Sequence, residues 1–172
     1  MRPRQWIKNI LILAAVVFDR QLSIHNPLPL YRSLAGLVIF TGVTSSVYII
    51  NDILDVNADR LHPQKRNRPI ASGALSIPFA LAAGLVILMV ALILGYLLSP
   101  WFALVCVAYF FLNLAYSRWL KHILILDVLI LATFYVLRVA AGVSIITVQR
   151  FSPWLYVIIT LGALYLGFGK RR

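Results

Sequence analysis

The stretch LAGLVIFTGVTSSVYIINDILDVNADRL, residues 34–61, decides how the chain is read. It begins as an apolar run of bilayer length and ends in Asn51, Asp52, Asp55 and Asp59. The whole chain has five acidic residues. All are aspartates, and three of them fall within positions 51–59. A single helix over 34–61 places Asp55 about 40°, Asp59 about 80° and Asp52 about 100° round from Asn51, on one face over two turns. Thr41, Thr44 and Tyr48 extend the same stripe back into the apolar part. A polar stripe on an apolar helix faces a bundle interior or a water-filled cavity rather than lipid. Pro63 is expected to end the helix near Leu61.

The chemistry of the stripe is specific. Its donors are hard oxygens, which suit Mg²⁺ rather than zinc or copper. Mg²⁺ needs only one or two carboxylates and completes its shell with water and substrate phosphate. Asn51, Asp52, Asp55 and Asp59 are therefore the candidate metal ligands, and Asp55 and Asp59 the candidate catalytic carboxylates. Lys65, Arg66 and Arg68 follow at once in a loop that Pro69 and Gly73 shape, and are candidates for holding a diphosphate. The competing reading is an acidic helix end that only solvates a loop. Three carboxylates on one face repel each other, however, and a chain so short of acids has no reason to gather them without a counter-cation.

Composition places the rest in a membrane. Hydrophobic side chains make up 62% of the chain and charged ones 12%, so a soluble domain is excluded. The fold class expected is all-α, a polytopic transmembrane helical bundle in a single integral-membrane domain over 1–172. Its apolar segments fall at about 6–18, 34–50, 74–98, 101–115, 123–146 and 153–168. The first is short for a crossing. It opens with Lys8 and Asn9 and has no small-residue cleavage site, so no cleavable signal peptide is expected. Trp6, Trp101, Trp119 and Trp154 lie at segment ends, as an interfacial belt does. Cys106, the only cysteine, reads as a packing residue.

The net charge of +11 is a topology signal rather than a nucleic-acid footprint. With six spans and a cytoplasmic N-terminus, the inner side carries Arg2, Arg4, Lys8, Arg60, Lys65, Arg66, Arg68, Arg118, Lys121, Lys170, Arg171 and Arg172. The outer side carries only Arg20, Arg32 and Arg150. That bias is expected to set the aspartate stripe and its loop on the cytoplasmic face of the membrane.

A second constellation lies in 123–146, where Asp127 and Arg138 are about 16 Å apart along one helix face. They are too distant to pair within the helix, so each needs partners elsewhere. Asp127, near the cytoplasmic mouth, is a candidate catalytic residue. For Arg138 an interhelical structural role and an anion-binding role both stand. His25, His62 and His122 show no ligand spacing.

Asn51-Asp52-x-x-Asp55-x-x-x-Asp59, then Arg68-Pro69 and Ser72-Gly73, resembles the first aspartate motif of the UbiA-type membrane prenyltransferase superfamily. Several dispersed matches resemble its decaprenyl-phosphate phosphoribosyltransferase branch. These are Arg2-Pro3-Arg4-Gln5-Trp6-Ile7-Lys8-Asn9, Tyr116-Ser117-x-x-Leu120-Lys121, Asp127-Val128, Leu137-Arg138 with Ala141-Gly142, and Gly169-Lys170-Arg171-Arg172. The resemblance implies a ring of nine helices, of which about six are expected here, and a second polar motif after helix six, so the chain is expected to be C-terminally incomplete. It also implies Mg²⁺-dependent transfer of 5-phosphoribose from phosphoribosyl diphosphate to polyprenyl phosphate, feeding cell-wall arabinan precursors. Lys8, Tyr48, Lys65, Arg66, Arg68, Tyr116, Lys121, Arg138 and Lys170 would then bind substrate. A homo-oligomer is compatible with this, and nucleic acid is not an expected partner. The first motif serves an aromatic prenyltransferase of quinone or haem biosynthesis equally well. A membrane transport or scaffold role, with Asp127 and Arg138 gating an ion path, leaves the aspartate stripe without a purpose.

Overall fold

A computed structural model of the chain describes residues 6–21, 26–120, 123–147 and 153–169, and every described element is helical. A 3-10 helix, Ile7–Leu13, runs into the short α1, Ala14–Phe18. Then come α2 (Leu28–Leu54), α3 (Val56–Leu61), a 3-10 turn (Lys65–Asn67), α4 (Ile77–Leu98), α5 (Pro100–Arg118), α6 (Leu124–Val143) and α7 (Pro153–Gly169). Proline marks the starts. Pro29, Pro78 and Pro100 sit in the first turns of α2, α4 and α5, where a missing N–H costs no hydrogen bond. Ser99 caps α5 by accepting from the Phe102 N–H.

α2 is the hub. It packs against α4 and the N-terminal 3-10 segment, while α6 packs against α5, α7 and that same segment. Phe40, Phe102, Tyr109, Val43 and Ile12 form the core where these helices meet, with the Phe40 and Tyr109 rings 4.8 Å apart. The contact of α6 with the first segment is backbone-close. A Cβ on Gly142 would lie 2.1 Å from the Ile12 carbonyl oxygen, so only glycine fits there.

Outward faces are apolar. Val86, Met89, Val90, Ile93 and Leu97 of α4 are exposed, and so are Trp101, Trp119 and Trp154 at helix ends. Such a surface suits lipid and would aggregate in water. Four helices are long and apolar enough to cross a membrane: Leu28–Leu54, Ile77–Leu98, Pro100–Arg118 and Leu126–Val143. The protein is an integral membrane protein. Ile7–Phe18 and Pro153–Gly169 are apolar but shorter. Even with the longer 3-10 rise, the first segment reaches only about 20 Å, against a hydrocarbon core of about 30 Å.

One expectation needs correction. Residues 34–61 are not one helix: α2 ends at Leu54, and Asp55 (φ −92°, ψ 7°) turns the chain before α3 resumes at Val56. The Asp55 N–H still reaches the Asn51 carbonyl (2.9 Å) and the Asp59 N–H reaches that of Asp55 (2.8 Å), so the break is a bend rather than a loop. Neither proline nor glycine lies at the bend. It coincides with Arg68, whose Nη1 binds Asp52 on one side and Asp59 on the other, at 3.1 and 2.5 Å.

Candidate functional site

The loop after α3 is built into the fold. Ile70 packs with Val56 and Ala80, and the Leu75 N–H bonds the Pro69 carbonyl at 2.9 Å. Arg60 Nε holds the Ala71 carbonyl at 3.2 Å, and Gly73 takes the left-handed turn at φ +80°. The loop therefore presents Arg68 to the aspartates from a fixed base. Asp59 is 3% exposed and its carboxylate is engaged by this arginine. Asp55 is exposed. Lys65 and Arg66 stand exposed on the 3-10 turn beyond. The counter-cation that the crowded aspartates require is thus present in the protein itself.

These carboxylates do not form an all-protein cage: among the described residues no three His, Cys, Asp or Glu side chains come together around a common point. A cation of the Mg²⁺ kind still fits. Asn51 Oδ1 is buried and has no hydrogen-bond partner, an orphaned hard acceptor whose isolation costs energy unless something binds it. Asp52 and Asp55 lie within a turn of it. Asn51, Asp52 and Asp55 would hold the ion on the cheap coordination that Mg²⁺ accepts, with phosphate and water completing the shell.

Asn51 also opens onto a polar cavity of about 200 Å³. Lys8 of the first segment, Tyr48 and Asn51 of α2, Tyr109, Asn113, Tyr116 and Ser117 of α5, and Leu131, Phe134, Tyr135 and Arg138 of α6 line it. No carboxylate is among them. Arg138 is 3% exposed and is held by neutral groups alone: Nε to Asn9 Oδ1 (3.1 Å), Nη1 to the Phe134 carbonyl (2.6 Å) and Nη2 to Tyr109 Oη (2.8 Å). Its guanidinium and the Lys8 ammonium both approach the Tyr135 ring, at 5.7 and 5.8 Å from the centroid. Two cations thus flank one ring in a pocket without acid.

The remaining expected residues are placed unequally. Tyr48 and Tyr116 line the cavity. Asp127 is buried one layer behind its wall, accepting the Tyr116 hydroxyl. Asp127 and Arg138 do not pair, and each turns to another helix. Lys121 and Lys170 lie outside the described residues. Ser117, from the Tyr116-Ser117 motif, and Tyr135, on the face of Arg138, line the cavity too, whereas Tyr109 and Asn113 are lining residues that sequence reasoning passed over. The signal was present: Tyr109, Asn113, Tyr116 and Ser117 recur at the spacing of one helix face. It is the same pattern that marks Thr41, Thr44, Tyr48 and Asn51, but aromatic side chains in an apolar run read as packing.

The helical bundle agrees with the comparison to known proteins. The pattern of the UbiA prenyltransferase family matches residues 10–169. The chain belongs to this family. Decaprenyl-phosphate phosphoribosyltransferase of Mycobacterium tuberculosis is 36% identical over 173 residues, covering 99% of this chain and 57% of its own. The Corynebacterium glutamicum protein of the same name is 35% identical over 175 residues, covering 99% and 52%. This UbiA-family chain therefore spans somewhat over half the length of the curated relatives it matches. A UbiA homolog from Archaeoglobus fulgidus, solved bound to DMAPP and Mg²⁺, superposes with a TM-score of 0.73 at 24% identity, covering 96% of this chain and 58% of that one. That likeness establishes the UbiA membrane fold.

Proposed function

We propose that the protein takes part in Mg²⁺-dependent transfer of 5-phosphoribose from phosphoribosyl diphosphate to a polyprenyl phosphate. The observation that carries this reading is the pair of cations, Lys8 and Arg138, in an acid-free cavity reached directly from the metal donor Asn51. A phosphoribosyl donor has two anionic ends several ångströms apart and needs two sites. An isoprenyl diphosphate has one, and would leave this second cationic pocket without a ligand. The names of the relatives at 35–36% identity support the same choice.

Asn51, Asp52 and Asp55 would hold Mg²⁺, which when bound would supply Lewis-acid stabilisation of the departing diphosphate. Lys65 and Arg66, exposed on the loop, neutralise its outer oxygens. Lys8 and Arg138 hold the 5-phosphate and so fix the sugar between two anchors, which aligns its C1 for attack. The bond from C1 to the diphosphate oxygen breaks with its electron pair leaving on diphosphate. A lipid phosphate oxygen then forms the new bond to C1. An anionic phosphate nucleophile has no proton to lose, so the step needs no general base.

Purified protein in lipid nanodiscs with Mg²⁺ is expected to convert phosphoribosyl diphosphate and polyprenyl phosphate to phosphoribosylated lipid and diphosphate. Prenylation of 4-hydroxybenzoate or a naphthoate, with phosphoribosyl diphosphate left untouched, would replace this reading by an aromatic prenyltransferase. Phosphoribosyl diphosphate is water-soluble, so the reading also requires a cytoplasmic loop. Gln64→Cys, at an exposed position, should react with a membrane-impermeant thiol reagent in inverted vesicles and not in intact cells. Labelling of intact cells would reverse the topology and remove the donor's access.

A further inference from the structure

The opening motif contains Asn9, which the reaction above does not use. It is fully buried, at 0% exposure, in a 3-10 segment whose one other polar residue is Lys8. A buried amide is costly unless its groups are satisfied, and here they are. Nδ2 donates to Thr41 Oγ1 (3.1 Å) and Thr44 Oγ1 (3.2 Å), and Oδ1 accepts from Arg138 Nε (3.1 Å). The orientation has no freedom. Thr41 commits its proton to the Leu37 carbonyl (2.7 Å) and Thr44 to that of Thr41 (3.0 Å), so both offer Asn9 only lone pairs. The guanidinium offers only protons. The amide oxygen must therefore face Arg138.

Asn9 thus fixes the guanidinium at its Nε corner, while Tyr109 and the Phe134 carbonyl fix the others. What it withholds matters as much. An aspartate of nearly the same size would accept from Arg138 more strongly and cancel its charge, and a buried arginine gains most from such a partner. The position instead carries a neutral amide, and the positive charge stays available to the cavity.

We propose that Asn9 is a positioning residue for anion recognition, a neutral group that aims the Arg138 guanidinium at the cavity and leaves its charge for the phosphate of a phosphorylated sugar. This rests on the reading that the 5-phosphate sits at Lys8 and Arg138. The test is equilibrium binding of ribose 5-phosphate, and separately of magnesium diphosphate, to the protein in nanodiscs, with thermal denaturation alongside. Asn9→Asp should weaken ribose 5-phosphate by about tenfold or more and change magnesium diphosphate by less than about threefold. Asn9→Ala, which loses the aim but adds no charge, should fall between wild type and Asn9→Asp, whatever the order of melting temperatures. A purely structural Asn9 makes the losses follow stability. Asn9→Asp binding ribose 5-phosphate as well as Asn9→Ala, or better, would overturn the proposal. If Asn9→Asp does not fold, Asn9→Ala decides: selective loss of ribose 5-phosphate supports it, and equal loss of both ligands refutes it. Wild type that binds magnesium diphosphate but not ribose 5-phosphate would instead remove the donor assignment beneath it.

Discussion

Asp55→Asn is expected to lower turnover by about a hundredfold or more, ~2.7 kcal/mol of barrier, with expression and membrane insertion unchanged. Two features of the structure isolate this carboxylate. It stands exposed at the bend between α2 and α3, so no packing is lost with it. Asp52 and Asp59 are held by Arg68, whereas Asp55 lies one turn from the orphaned Asn51 oxygen with its charge uncommitted to that arginine. A neutral amide keeps the shape and weakens an Mg²⁺ site by a full charge. Activity above about a tenth of wild type at saturating Mg²⁺ would place the metal elsewhere.

Arg68→Gln should act on the same cluster through stability. Its guanidinium joins Asp52 and Asp59 across the bend, and the Asp59 side chain is only 4% exposed. Removing the cation leaves a buried carboxylate unpaired, at a cost on the order of 3 kcal/mol. A divalent cation can take over part of that role, so millimolar Mg²⁺ should raise the melting temperature of the variant more than that of wild type. Equal Mg²⁺ shifts in both proteins would mean that Arg68 and the metal do not share the aspartates. Asp59→Asn makes the useful contrast: it should destabilise, because Asp59 serves Arg68, yet lower turnover less than Asp55→Asn.

Much of this was legible in one dimension because the membrane imposes a strict code. Apolar length, basic loops and proline starts reflect the absence of water to satisfy a backbone, so helices and their approximate bounds follow from residue type. An aspartate cluster in a chain with five acids is similarly conspicuous, and it calls for positive charge, part of which Arg68 supplies. Hard oxygen donors and a following basic loop point to Mg²⁺ with a phosphate, which is the reading proposed above. The choice between the donors did not follow from the stripe, which serves either.

Tertiary structure decided the rest, for reasons that lie in distance rather than composition. Azimuths on an ideal helix treat Asp52, Asp55 and Asp59 as equivalent. Only the returning loop, which brings Arg68 onto Asp52 and Asp59, divides them into held and uncommitted carboxylates. Only the crossing of α5 behind α6 turns Tyr109 from a packing aromatic into a hydroxyl on Arg138, and hides Asp127 behind Tyr116. Asn9 and Arg138 are 129 residues apart, and nothing local in either segment names the other. A polar side chain in an apolar run declares that it needs a partner. Which partner it finds is settled by how the helices pack, and here that packing determines where positive charge remains unspent.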